Sequence, residues 1–153
     1  MRKRITTLLA AVALSTVAFA GQAAAAPSDH AASAATGQAA KARPESRTVH
    51  APFVLERNQS IVSDTARLVM QSDGNLVIYD EFGVARWATG TVNQGWRAAF
   101  QTDGNFVVYT RSGRAVWASN TAGHPGSRLA VQDDGNVVIY DGSQAIWSSR
   151  TNH

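Results

Sequence analysis

One set of residue types recurs three times at fixed spacing in the second part of the chain. The copies are Gln71, Asp73, Asn75, Val77 and Tyr79; Gln101, Asp103, Asn105, Val107 and Tyr109; and Gln132, Asp134, Asn136, Val138 and Tyr140. An ionised Asp offers acceptor oxygens only, Asn and Gln each carry a donor and an acceptor, and Tyr can do either. With a small apolar side chain beside them, such groups suit a pyranose, whose hydroxyls donate and accept next to an apolar C–H face. A tight turn explains Asp-Gly alone. It makes no demand for Gln two residues before the Asp, Asn two after it or Tyr six after it. Adjacent apolar positions drift among Leu, Val, Phe, Ala and Met while the polar set stays constant, which points to binding.

Catalytic chemistry finds little support. His30 and His50 fall in or at the end of a low-complexity stretch, His124 sits in a loop with no counterpart in the other repeats, and His153 is the final residue. They form no Ser/His/Asp set, and no Gly-rich phosphate loop occurs. Glycoside cleavage needs paired carboxylates, but Asp80 and Asp141 have Thr110 as their counterpart, and Asp133 is matched by Ser72 and Thr102. Calcium would use Asp and Asn oxygens, yet one carboxylate per unit is thin and no D-x-D-x-D-G loop is seen. Cys is absent, which excludes disulfides, thiol catalysis and Cys-ligated zinc. No cofactor and no metal is expected.

The elements that must carry the constellation are strands. LVMQSDGNLVIYD (68–80), AAFQTDGNFVVYT (98–110) and LAVQDDGNVVIYD (129–141) align on one another, each followed by a Trp-containing segment at 86–91, 116–121 and 146–151. A repeat near 30 residues, rich in β-branched and aromatic residues and without helical periodicity, predicts a closed three-fold all-β assembly. Within a unit, a three-residue hairpin loop ending on Gly places Val69 opposite Val77 and Gln71 opposite Asn75. Side chains alternate along a strand, so Leu68, Met70, Leu76 and Ile78 then share the opposite face. The matching sets are Ala98, Phe100, Phe106, Val108 and Leu129, Val131, Val137, Ile139. All twelve are apolar, as a core face requires.

The rest of the 153-residue chain reads as leader and linker. Arg2, Lys3 and Arg4 precede an uncharged apolar run from Ile5 to Ala20, and small-x-small sites end at Ala20 and Ala25, so residues 1–25 are expected to be a secretion signal. Residues 26–51 lack Trp, Tyr, Phe, Leu and Ile, and a disordered linker or propeptide is expected there. The folded domain is expected at 52–153, exported and free of membrane insertion once the signal is cleaved. The formal charge of +3 equals the three leader charges, leaving 11 basic and 11 acidic residues from Ile5 onward. No basic cluster of the kind that releases phosphate counterions remains, so no nucleic-acid partner is expected.

The pattern Q-x-D-x-N-x-V-x-Y followed by W-[AS]-[ST]-x-T resembles the bulb-type, monocot mannose-binding lectins over about residues 54–153. The resemblance implies the second type of β-prism: three four-stranded antiparallel sheets around a pseudo-three-fold axis. It implies a secreted, non-catalytic, metal-independent lectin for α-mannosides and mannose-containing glycans. On it, the Asp and Asn pairs would hold the axial 2-hydroxyl, Gln the 3-hydroxyl, Tyr the 4-hydroxyl, and Val the ring face. Trp87, Trp117 and Trp147 would be core on the axis rather than sugar platforms. The alternative is a secreted β-prism interaction module that binds protein or another cell-envelope polysaccharide. Homodimerisation by exchange of a C-terminal strand is expected from the six residues after Trp147. Family cysteine positions match Gly74 and Trp96 here, so Trp96 is expected to cover the first hairpin. The stretch Ile61–Leu68 looks short, which puts the outer strand of the first sheet in question.

Overall fold

A computed structural model describes residues 46–153. The expected signal and most of the expected linker, residues 1–45, lie outside the described residues. No helix among those described is long and apolar enough to cross a membrane.

The domain is built from twelve strands. The three repeats each supply a three-stranded meander: β4 (Ala66–Met70), β5 (Leu76–Asp80) and β6 (Ala85–Ala88); β7 (Arg97–Phe100), β8 (Phe106–Tyr109) and β9 (Ala115–Ala118); β10 (Arg128–Val131), β11 (Val137–Asp141) and β12 (Gln144–Ser148). The fourth strand of every sheet comes from the segment before the repeats. β1 (Arg47–His50) joins β10, β2 (Phe53–Glu56) joins β7, and β3 (Ser60–Val62) joins β4. The result is three four-stranded antiparallel sheets, β3-β4-β5-β6, β2-β7-β8-β9 and β1-β10-β11-β12, the β-prism architecture expected.

Two expectations about the outer strands change. Residues 47–50, assigned from composition to the linker, form β1, which pairs along its whole length with Arg128–Val131. Composition misses it because an edge strand is held by ladder hydrogen bonds; in β1 only Val49 packs against the core. The first sheet does have its outer strand, a short one, in which Ser60, Ile61 and Val62 pair with Val69, Leu68 and Arg67.

The hairpin register is the one the turn predicts. Val69 faces Val77, Ala99 faces Val107, and Ala130 faces Val138. All twelve residues of the expected core face are at most 2% exposed, and they belong to one apolar cluster. Trp87, Trp117 and Trp147 meet edge to face with centroids 5.4–5.9 Å apart, and Phe106 stacks edge-on against Trp117 at 6.2 Å. Such geometry sets the positive edge of one ring on the negative face of the next. The tryptophans are the hub of the prism, as expected. A register shift recurs in each sheet, between Ile78 and Tyr79, Val108 and Tyr109, and Ile139 and Tyr140. Bulges bend the strand that carries the extra residue, here β6, β9 and β12, which deliver the tryptophans.

Candidate binding site: three hairpins with one geometry

Each hairpin displays its polar set on the face turned away from the core. At the tip, Asp73 Oδ1 accepts the Asn75 amide at 2.9 Å; Asp103 and Asp134 do the same for Asn105 and Asn136 at 3.0 Å. Each Asp therefore spends one oxygen on the turn and keeps the other. All three are exposed. The turn glycine is obligatory. Gly74 has φ +90°, a region L side chains rarely adopt, and a Cβ there would overlap the carbonyl of Gly95.

The Asn side chain is oriented from behind. Thr91 N donates to Asn75 Oδ1 at 3.0 Å, and the Thr89 hydroxyl lies 3.2 Å from the same oxygen. Thr121 N and Ser119 Oγ serve Asn105 at 3.1 and 3.2 Å, while Thr151 N and Ser149 Oγ serve Asn136 at 3.3 and 3.0 Å. A backbone N–H requires an acceptor, so the carbonyl oxygen must face inward and the NH₂ is left toward the site. The second hydroxyl of each pair, on Thr91, Thr121 or Thr151, donates to the turn carbonyl of Gly74, Gly104 or Gly135 at 2.7–2.8 Å. These residues are the [ST]-x-T of the motif that follows each Trp. Sequence reasoning quoted that motif without giving the hydroxyls a task, although their recurrence was the available signal.

At the other end of each site, Gln and Tyr are tied together. Gln71 Nε2 donates to Tyr79 Oη at 2.6 Å, Gln101 to Tyr109 at 2.5 Å, and Gln132 to Tyr140 at 3.1 Å. Each Tyr hydroxyl thus has its proton free to donate and each Gln carbonyl oxygen is available to accept. Between the two ends, Val77, Val107 and Val138 are only 2–3% exposed. Their cross-strand neighbours on β6, β9 and β12 are small: Ala88, Ala118 and Ser148. The valines form a recessed floor rather than an open apolar surface. The structure therefore gathers each expected five-residue set on one hairpin, in three copies.

Sequence reasoning also missed two further repeated features. The carbonyl of each site Asp accepts a backbone amide from a loop beyond the Trp: Asn93 N to Asp73 at 2.6 Å, His124 N to Asp103 at 2.9 Å, and His153 N to Asp134 at 2.9 Å. His124 thus has counterparts after all. His124 stands three residues after Thr121, whereas Asn93 and His153 stand two after Thr91 and Thr151, which hides the equivalence from a fixed offset. Each Tyr also carries a guanidinium over its ring. Arg67, Arg97 and Arg128 stand 5.3, 5.6 and 4.6 Å from the Tyr79, Tyr109 and Tyr140 centroids, each from the directly opposed position on the neighbouring strand.

At the first hairpin the closest approach to Gly74 is made by Gly95, the residue before Trp96. The atoms nearest a Cβ on Gly74 belong to Gly95 and Arg57. Trp96 is half-buried with the guanidinium carbons of Arg57 and Arg111 at 4.6 and 5.0 Å from its ring centroid, while Arg57 Nη2 donates to Gly95 O at 2.5 Å. Two glycine backbones in contact occupy the place assigned to a crosslink, and no side chain fits between them.

Of the unmatched acids, Asp80 serves its own turn, Asp141 pairs with His124 at 2.8 Å, and Asp133 accepts from Ser46 Oγ and Asp64 N. Asp80 Oδ1 accepts Phe82 N and Val84 N at 3.0 and 2.8 Å, and Oδ2 pairs with Arg86 at 2.7 Å. Burial raises the carboxyl, but the Val84 amide, Arg86 and the Phe82 amide outweigh it and hold Asp80 below the ordinary carboxylate range. Thr110 does the same job in the second repeat, accepting Arg114 N at 3.1 Å. No group of three His, Cys, Asp or Glu is placed to hold a metal among the described residues.

No protein-family model matches the chain, and no curated protein matches it in sequence. Solved structures do. A monomeric monocot mannose-binding lectin from Gastrodia elata is 41% identical, with 69% of this chain and 98% of that one covered and a TM-score of 0.63. A lectin from Allium sativum is 39% identical over 69% and 98% of the two chains, at a TM-score of 0.55. The mannose-specific agglutinin of Galanthus nivalis bulbs, solved with methyl α-D-mannoside, is 35% identical over 69% and 97%, at a TM-score of 0.57.

Proposed function

The chain belongs to the bulb-type, monocot mannose-binding lectin family, and on that premise we propose that it is a secreted, metal-independent lectin that binds α-mannosides at three hairpin sites. The observation that carries this reading is the threefold orientation of Asn75, Asn105 and Asn136. A hydroxyl and a backbone amide hold each Asn carbonyl from behind, leaving its NH₂ beside a free Asp oxygen. A donor and a charged acceptor side by side suit a single hydroxyl that both gives and takes a hydrogen bond, the axial 2-hydroxyl of mannose. The paired Gln and Tyr would take the 3- and 4-hydroxyls.

Binding at one site is expected to be weak. Each hydrogen bond contributes about 0.5–1.5 kcal/mol net, and four or five must offset the association entropy. Avidity for branched or polymeric glycans would come from engaging several sites, worth about 10²–10⁴ without new contacts. Glucose turns the 2-hydroxyl equatorial and would leave the Asp and Asn groups unmatched, at about 1–3 kcal/mol per site.

Retention on immobilised mannose in the presence of a chelator, with elution by free mannose and not by galactose, tests the reading. Failure to be retained would favour the interaction-module alternative, and loss of retention on chelation would overturn metal independence. Export is part of the same proposal and rests on residues 1–25; the mature N-terminus of protein recovered outside the cell tests it. Dimerisation by strand exchange carries a specific requirement. The tail would have to release the bonds Thr151 Oγ1 makes to Gly135 O and His153 N makes to Asp134 O. Light scattering over a wide concentration range decides between exchange and a monomer, the state named for the Gastrodia elata lectins.

A further inference from the structure

On the outer face of the hairpins a sixth residue type is invariant among the copies. Arg67, Arg97 and Arg128 stand four residues before Gln71, Gln101 and Gln132, each directly opposite the tyrosine of its own site. The core does not need them, since the inner faces of the sheets supply it. Nor do they serve as ion-pair partners, for none of the three forms a salt bridge among the described residues. Arg97 is the telling case. Glu56 faces it directly from β2, yet its guanidinium lies over the Tyr109 ring, 5.6 Å from the centroid.

The tyrosines have little else to hold them. Their partners on the other neighbouring strand are Ala85, Ala115 and Ala145, side chains too short to fix a ring. Each ring is tethered at its hydroxyl by Gln and covered by Arg. A phenol held only at its oxygen can still swing about that bond. A planar guanidinium on the ring face limits the swing, and the π electrons attract its charge. The hydroxyl proton that Gln leaves free is then aimed in one direction, three times over.

We propose that Arg67, Arg97 and Arg128 are positioning residues that act through Tyr79, Tyr109 and Tyr140, aiming the phenol at the sugar's 4-hydroxyl and so setting selectivity at C4. This rests on the mannose reading above. The arginines need no contact with the sugar, and their contribution reaches it only through the tyrosine hydroxyl.

Arg67→Met is the variant of choice, because Arg67 has the apolar Val62 beside it on the outer strand and Met keeps a chain of similar length without the charge. The full chain is titrated with methyl α-mannoside, following the amides of Gly74, Gly104 and Gly135 by NMR. Binding should weaken about two- to fivefold at Gly74 and stay unchanged at Gly104 and Gly135, which report unaltered sites in the same molecule. With methyl 4-deoxy-α-mannoside, parent and variant should bind equally at Gly74, since the group that the tyrosine addresses is gone. Arg67→Lys, which keeps a cation, should recover part of the loss, and in a Tyr79→Phe background Arg67→Met should have no further effect. Unchanged affinity in Arg67→Met, equal weakening with the 4-deoxy sugar, or a loss that persists beside Tyr79→Phe would overturn the proposal while leaving the mannose reading standing. Absence of any saturable shift in the parent with methyl α-mannoside would overturn both.

Discussion

The two faces of the hairpin strands obey different rules. On the inner face, equivalent positions hold Leu68, Ala98 and Leu129, or Met70, Phe100 and Val131, and every one is buried to 2% or less. On the outer face, Gln, Asp, Asn, Val and Tyr do not vary between copies although most of them are at least partly open to solvent. A core needs volume and shape, which neighbours can supply jointly: where the first repeat has Met70 and Leu76, the second has Phe100 stacked edge-on to Phe106 at 6.3 Å. A hydrogen-bonding site needs specified donors and acceptors at specified points, so no exchange compensates. Burial marks what holds the fold, and invariance among the copies marks the set to which the proposed function is assigned.

The largest expected effect tests the inner face. Phe106→Ala removes a ring that touches both Phe100 and Trp117 and should cost about 3–5 kcal/mol, read from urea unfolding. Phe106→Leu should cost clearly less, because that position holds Leu76 in the first repeat. Equal losses would mean that shape, not volume, rules the core.

A smaller effect separates stability from binding. Thr121→Val keeps the volume but deletes the hydroxyl that donates to Gly104 O. Leaving that carbonyl unpaired should cost about 1–3 kcal/mol. Methyl α-mannoside should then no longer shift the Gly104 amide in NMR spectra, while Gly74 and Gly135 still respond. Loss of response at all three hairpins would show that the copies are not independent.

The smallest effect is a pH dependence. His153 Nε2 lies 2.9 Å from Glu81 and Nδ1 lies 3.0 Å from Thr151 O. The Thr151 carbonyl and the Glu81 carboxylate raise the His153 pKa above its usual 6.5, and His153 lowers that of Glu81 below 4.5. A raised His pKa stabilises the fold fully below 6.5 and loses that contribution as pH climbs through the folded value. A lowered Glu pKa contributes above 4.5 and loses it as pH falls through the folded value. The urea midpoint difference between the parent and His153→Gln should therefore be larger at pH 6 than at pH 8. An unchanged difference would show that the pair contributes nothing.

How much of this was legible depends on the kind of interaction. Period-two alternation around Ser72-Asp73-Gly74 was enough to give register, core face and the grouping of each five-residue set on one hairpin, because each follows from local geometry. β1 was not legible, since Arg47–His50 earns its place through backbone pairing with β10 and only Val49 reaches the core. The hydroxyls behind Asn75, Asn105 and Asn136 stood in the sequence as a repeated [ST]-x-T, but their role depends on a strand that returns 13 to 16 residues later. Arg67, Arg97 and Arg128 recur four residues before each Gln and look like ordinary surface charges until pairing sets them over the tyrosines. His124 was hidden by one extra loop residue. Local rules read well, and long-range contacts with variable loop lengths do not.

The central claim is that three equivalent hairpins bind mannose through the Asp oxygen the turn leaves free. The most direct test is an NMR titration with methyl α-mannoside of the parent and of the triple variant Asp73→Asn, Asp103→Asn and Asp134→Asn. Asn retains an oxygen for the Asn75, Asn105 and Asn136 amides, so the turns and the dispersed spectrum should be preserved. The parent should show saturable shifts at Gly74, Gly104 and Gly135, and the variant none. Saturable shifts at those glycines in the variant, or sugar-dependent shifts confined to other residues of the parent, would contradict the account.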